Sequence, residues 1–179
     1  MATTTITNSD IFSLTERAVA AYIIAAGAGT MADTSESQYI QNRGYPNTTV
    51  IAVSNTLGSD FSGNDMLTLH ISIKGSAAVD PSVTDFQSPR IAFNNRVGAT
   101  RDALRMTDNN VNYAYTAAAI TTAGRALATS NAADNSDMSG FTCLAWYELG
   151  GGLGSADDDG CSWERILIFK ALVCPSAIS

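Results

Sequence analysis

The sequence is short of basic residues, histidine and cysteine, and each shortage removes a class of function. Ten Lys and Arg stand against seventeen Asp and Glu, a formal charge of −7. Affinity for nucleic acid comes from neutralising phosphates with Lys and Arg, so this balance excludes general DNA or RNA binding. The single histidine, His70, has no HExxH, triad or paired-ligand context and reads as a sheet-surface residue. Three cysteines, Cys143, Cys161 and Cys174, form no CxxC pair and no metal-ligand spacing, and their odd number argues against a closed disulfide framework. They read as buried or half-buried thiols. No Gly-x-Ser-x-Gly elbow is present and the acidic residues are scattered without an acid/base pair. The expectation is therefore a chain that is not an enzyme and takes no metal or cofactor.

Long hydrophobic runs are lacking too. The longest, Ala18 to Ala28, falls short of the about 20 residues that a transmembrane helix needs. Asp10 and Glu16 lie near its start with only Arg17 to oppose them, unlike the positive leader of a signal peptide. A cytosolic product with no membrane partner is expected. The rest of the composition is ordinary: 179 residues, 45% hydrophobic and 15% charged, enough for one domain with a substantial core.

Residues 1–12 are Thr-rich and polar and read as a loosely held arm. Ser13 and Glu16 have the spacing of a capping box, which predicts a helix from there to about Ala26. Val19, Tyr22, Ile23 and Ala26 share one of its faces, and Gly27 and Gly29 supply the stop. Thr48 to Ser54 is a β-branched strand. Met66 to Lys74 is a second, with Leu67, Leu69, Ile71 and Ile73 on one face and Thr68, His70, Ser72 and Lys74 on the other. Ser88 and Pro89 suit the cap and first turn of a helix that runs to about Met106. Phe93, Val97 and Leu104 form its apolar stripe. Arg90, Arg101 and Arg105, with Asn94, form the stripe beside it. That stripe suits either a solvated face or a partner-binding face.

Residues 107–138 read as an irregular insertion; the Ala-rich stretch Tyr115 to Ala128 suits a helix, but a Thr pair and Gly124 weaken it. Two strands close the chain. In the first, Phe141, Cys143, Ala145 and Tyr147 alternate with Thr142, Leu144, Trp146 and Glu148. The second runs from Trp163 to Val173. The order α-β-β-α-β-β predicts a single α+β domain over residues 1–179, an antiparallel or mixed sheet with helices packed on one face.

The loop between the last two strands carries Gly150 to Gly152, Gly154 and then Asp157, Asp158 and Asp159. It fails as a phosphate cradle, because no Gly-Lys-Ser/Thr ending or helix comes after it and three aspartates repel phosphate. Consecutive acids and an early Glu164 make it a weak calcium loop. It suits a hairpin tip that is solvated or docks on a basic partner.

The element order resembles the tail terminator proteins of long-tailed bacteriophages. The landmarks are an N-terminal helix, then the step Tyr45-Pro46 into the strand ending at Val53, then the alternating strand Leu67 to Lys74. The helix Pro89 to Met106 and a hairpin whose acidic tip, Asp157 to Gly160, enters a Trp-led final strand complete the likeness. The insertion at 107–138 is longer than in the smaller members. The resemblance implies a hexameric ring that caps the tail tube, meets a head-completion or neck protein on its other face, and lets DNA pass without specific binding. It implies a virion protein of the tail or neck, assembled in the host cytoplasm, with no catalysis and no cofactor. On that reading the Arg90, Arg101 and Arg105 stripe meets the Asp157, Asp158 and Asp159 tip, or a neighbouring ring, across a subunit boundary, with Leu57, Phe61 and Leu153 supplying adhesion. Other neck, head-closure or capsid-decoration proteins share this composition. A small ligand-binding module is a further alternative, with Trp146, Trp163 and Tyr147 as its stacking platform.

Overall fold

The computed structural model describes residues 11–29, 32–34, 46–57, 65–76, 87–105, 114–130, 136–153 and 162–174. Their elements are α1 (Ile11–Ala25), β1 (Asp33–Thr34), β2 (Asn47–Leu57), β3 (Asp65–Ser76), α2 (Gln87–Arg105), α3 (Ala114–Ser130), a 3-10 turn (Ser136–Gly140), β4 (Thr142–Leu153) and β5 (Ser162–Cys174). The sheet order is β1-β2-β3-β5-β4. The four long strands are antiparallel, and the two-residue β1 joins β2 in parallel, so the sheet is mixed. The fold is α+β in a single layer of helices against one sheet face.

The period-2 pattern in β3 decides which face is the core. Leu67, Leu69, Ile71 and Ile73 are all fully buried. They pair in register with Ala171, Phe169, Leu167 and Arg165 of β5, so the inner face continues across the two strands. Phe93 of α2 lies against Gly75 and Trp163 at one end of the sheet, and its ring centroid is 6.0 Å from that of Trp163. Thr121 of α3 holds the backbone of Cys143 at the other end. Helix α1 runs along β2 and is tied at both ends. The Glu16 carboxylate accepts the Ala52 amide at 2.8 Å, and Arg96 of α2 donates to Ala28 O at 2.6 Å and Pro46 O at 3.3 Å. Midway, the Tyr22 hydroxyl donates to Ala103 O of α2 at 2.8 Å.

The stop at Gly27 holds. Gly27 has φ +71°, the left-handed conformation glycine adopts without cost. Its amide bonds Ile24 O and the Ala28 amide bonds Ile23 O, the paired closure of a Schellman motif.

Three expectations are corrected. Helix α1 begins at Ile11, so Ser13 lies inside it and Glu16 is no capping residue. Glu16 is 2% exposed and its carboxylate serves the β2 amide instead, a long-range use that outweighs the local one. Ile11 and Phe12, expected in the arm, pack against the core. Second, the 107–138 region is not irregular throughout, since residues 114–130 form α3. The Thr pair is accommodated because Thr121 and Thr122 return their hydroxyls to Ala117 O and Ala118 O. Gly124 is kept for packing: a Cβ there would stand 2.8 Å from Ala18 Cβ of α1.

Third, the strict alternation of β4 fails. Register shifts between Cys143 and Ala145 and between Glu148 and Gly150 insert extra residues opposite β5. Each bulge exchanges the faces of the residues beyond it. Cys143 and Trp146 therefore both point inward, and Leu144 between them is exposed.

Candidate functional site

The arginine stripe of α2 divides in two. Arg105 forks onto Glu148 of β4, with Nε donating to Oε2 at 2.5 Å and Nη2 to Oε1 at 2.7 Å. Arg101 stands 4.0 Å from the same carboxylate. Glu148 can receive both because it lies on the inner face of β4 beside Trp146, beneath the last turns of α2. Arg165 of β5 lines the same cleft of about 330 Å³, together with Val97, Arg101, Glu148 and Leu167. Arg101, Arg105 and Arg165 thus gather near one carboxylate in an otherwise acidic chain.

Arg90 belongs elsewhere. It precedes Arg101 by eleven residues, about 16 Å along a helix axis. Its guanidinium lies 4.8 Å from the Trp163 ring centroid and 5.9 Å from that of Phe93. A cation over an aromatic face gains about 0.5–2 kcal/mol, depending on desolvation.

Of the residues singled out in the sequence, Arg101 and Arg105 are brought together, on a carboxylate of their own chain. Asp157, Asp158, Asp159 and Phe61 lie outside the described residues. The backbones of Leu57 and Leu153 stand opposite Met66 and Arg165, and their side chains lie outside the description. Glu148, Arg165 and Glu16 were missed as functional positions. The alternation of β4 did place Glu148 with Trp146, but nothing local shows which helix lies above them.

The aromatic platform is not open. Trp146 is buried, stacked on Phe169 at 4.9 Å between centroids, and donates its indole N–H to Leu104 O at 3.1 Å. Tyr147 is 48% exposed and points to the opposite side of the sheet. Trp163 is covered by Phe93 and Arg90. The three rings share no surface.

Cys143 is buried, and burial pushes its thiol up to about 12. Its Sγ contacts Ala145 O at 3.4 Å.

The outer face of the sheet is the larger feature. The three described helices lie on the inner face, yet β5 also carries apolar side chains on the outer one, interrupted by Lys170. Leu167, Phe169, Ala171 and Val173 point inward, and Ile166, Ile168 and Leu172 point outward, each only half-buried. Across the strands, Ile51 is opposite His70 and His70 opposite Ile168. Tyr147 and Val53 add exposed apolar surface. One end of this face is polar, where Ser72 donates to Glu164 and Lys74 stands 4.0 Å from it. A second apolar surface is an open groove between α1 and α3, walled by Tyr22, Ala25, Tyr115, Ala118 and Ala126.

Among the described residues there is no group of three or more His, Cys, Asp or Glu placed to hold a metal ion. No described helix is long and apolar enough to cross a membrane. No protein-family model matches the sequence, and no curated protein matches it.

Proposed function

We propose that this chain is a structural virion protein of the tail-terminator type, a subunit that closes with copies of itself into a ring on the phage tail tube. One observation carries the reading: the central strand β5 sets Ile166, Ile168 and Leu172 on the outer face around Lys170, while the described helices cover only the inner one. A four-stranded face about 19 Å wide and about 40 Å long offers roughly 750 Å², close to the ~800 Å² per partner of a standard interface. The sheet face is where a second chain fits. The ring would present its other side to a head-completion or neck protein. The acidic balance suits a conduit through which DNA passes without being held. No catalytic step and no cofactor belongs to this proposal. A neck, head-closure or decoration protein would use the same outer face, and position in the particle separates them. The buried Trp146 counts against the ligand-binding alternative.

Native mass measured by light scattering across concentration and salt series tests the proposal, with and without tail tube protein. The expected result is a ring, alone or on addition of tube protein, that Ile168→Asp disperses without unfolding the monomer. A chain that stays monomeric with tube protein present overturns it.

A further inference from the structure

The two edges of the sheet are finished differently. On the β2 side, β1 pairs with Thr49 and Val50, and the Ala52 amide just beyond is taken by Glu16. That edge is closed where a neighbour would have to join. On the β4 side only the first residues are covered: Thr121 holds Cys143, and Arg125 donates to Phe141 O and to the Thr142 hydroxyl. From Trp146 to Leu153, no described residue hydrogen-bonds the outer backbone of the strand. Soluble proteins blunt such edges with Lys, Pro, charge or bulges. Two bulges bend β4, but it contains no Lys and no Pro. Its one charge, Glu148, is turned inward to Arg105. Apolar Tyr147 and Leu149 flank the open stretch, 48% and 53% exposed.

The same chain carries a segment suited to that edge. Residues 2–7 are Ala-Thr-Thr-Thr-Ile-Thr, five of six β-branched, uncharged and without glycine or proline. That composition favours an extended strand and disfavours a helix. The segment precedes Ile11, and α1 is fixed to the β2 flank five residues later by Glu16. A subunit that donates a strand from its β2 flank and accepts one at its β4 edge makes the two-surface, head-to-tail contact that a ring requires.

We infer that residues 2–7 of one copy add as a sixth strand to the open β4 edge of the neighbouring copy. This rests on the ring reading and deepens it. Backbone hydrogen bonds supply affinity and the Tyr147 and Leu149 side chains supply register, the logic of strand addition. The closed β2 edge gives direction, because a subunit can then donate on one flank and accept on the other. Ten residues span up to about 33 Å and the β2-to-β4 distance is about 14 Å, so an arm could also reach its own edge. The experiment separates the two.

The full chain and a variant lacking residues 2–8 are compared by native mass and by amide hydrogen exchange, with tube protein present if the ring needs it. The expected result is a ring with protected β4 amides for the full chain, and a folded monomer with fast exchange at Tyr147 to Leu153 for the deletion. A synthetic peptide of residues 1–9 restores protection to the deletion variant. Ile6→Pro, which removes one backbone donor and leaves the domain untouched, weakens association at least tenfold. A ring that forms equally well without the segment, with unchanged β4 exchange, overturns strand donation and leaves the ring reading standing. Monomers whose β4 protection depends on their own arm overturn the intersubunit form. A full chain that never associates overturns the ring reading itself.

Discussion

Replacing Glu16 tests how far its long-range hydrogen bond to β2 holds the helix layer to the sheet. The residue is 2% exposed, and its carboxylate accepts the Ala52 amide at 2.8 Å. A hydrogen bond to a charged group contributes about 1.5–3 kcal/mol. Ala52 is half-buried, so water can replace part of that loss. The lost Cγ methylene adds about 0.8 kcal/mol. Glu16→Ala is therefore expected to cost about 2–4 kcal/mol. Glu16→Gln keeps the methylenes and one acceptor oxygen, and is expected to cost about 1 kcal/mol. Urea unfolding of the monomer at constant m value measures both. In a domain of this size each kcal/mol lowers Tm by about 2–4 °C. Amide exchange at Ala52 should accelerate in the alanine variant and change little in the glutamine variant. An alanine variant within about 0.5 kcal/mol of the parent, or with Ala52 protection unchanged, would refute the reasoning.

Gly98 and Gly124 make opposite predictions from the same substitution. Gly98→Ala in α2 meets nothing within 4 Å and should stabilise by about 0.5–1 kcal/mol in thermal unfolding, whereas Gly124→Ala should destabilise, because its Cβ would press on Ala18 and Phe141. At the arginine cluster, Glu148→Ala removes the forked partner of Arg105 and the carboxylate beside Arg101 and should cost more in chemical denaturation than Arg101→Ala, whose exposed, 4.0 Å contact contributes about 0–1 kcal/mol. Burial raises the Cys143 thiol from 9.0 to about 12. The folded chain therefore holds its proton more tightly than the unfolded chain, and stability is complete below about pH 9 and falls as pH rises toward about 12. Cys143→Ala should flatten that alkaline fall; Tyr22, also raised by burial, contributes in the same direction and remains. Trp146→Phe keeps the stack on Phe169 and loses the bond to Leu104 O, which should cost about 1 kcal/mol plus the unfilled volume, read by urea unfolding.

Features written within a few neighbouring residues were legible. The alternation of Leu67 to Ile73 found both β3 and its buried face, since the strand period is a local property. The stop at Gly27 was legible because the left-handed closure needs only that residue and the turn before it. The apolar stripe of α2 was legible for the same reason, with Phe93 and Leu104 both buried, whereas the split of its arginines between Trp163 and Glu148 was not. Helix α3 was less so. Gly124 and two threonines lower its local propensity, and the compensation comes from Ala18 of α1, more than a hundred residues earlier. In β4 the alternation misled, because one inserted residue exchanges faces and the bulge has no local signature apart from the glycines near Gly150.

The sequence by itself determined the class of fold: an acidic chain built as one α+β domain with amphipathic helices and a regular central strand. These come from composition and from periods of 2 and 3.6 residues, which no partner is needed to read. Only the tertiary structure decided that β5 enters between β3 and β4, that Glu148 lies under Arg101 and Arg105, and that Glu16 caps one sheet edge while β4 forms the other edge among the described residues. Each depends on strand order, which brings together residues up to about a hundred positions apart. Strand order is set by the total burial of the assembled layer, and no single segment carries that sum.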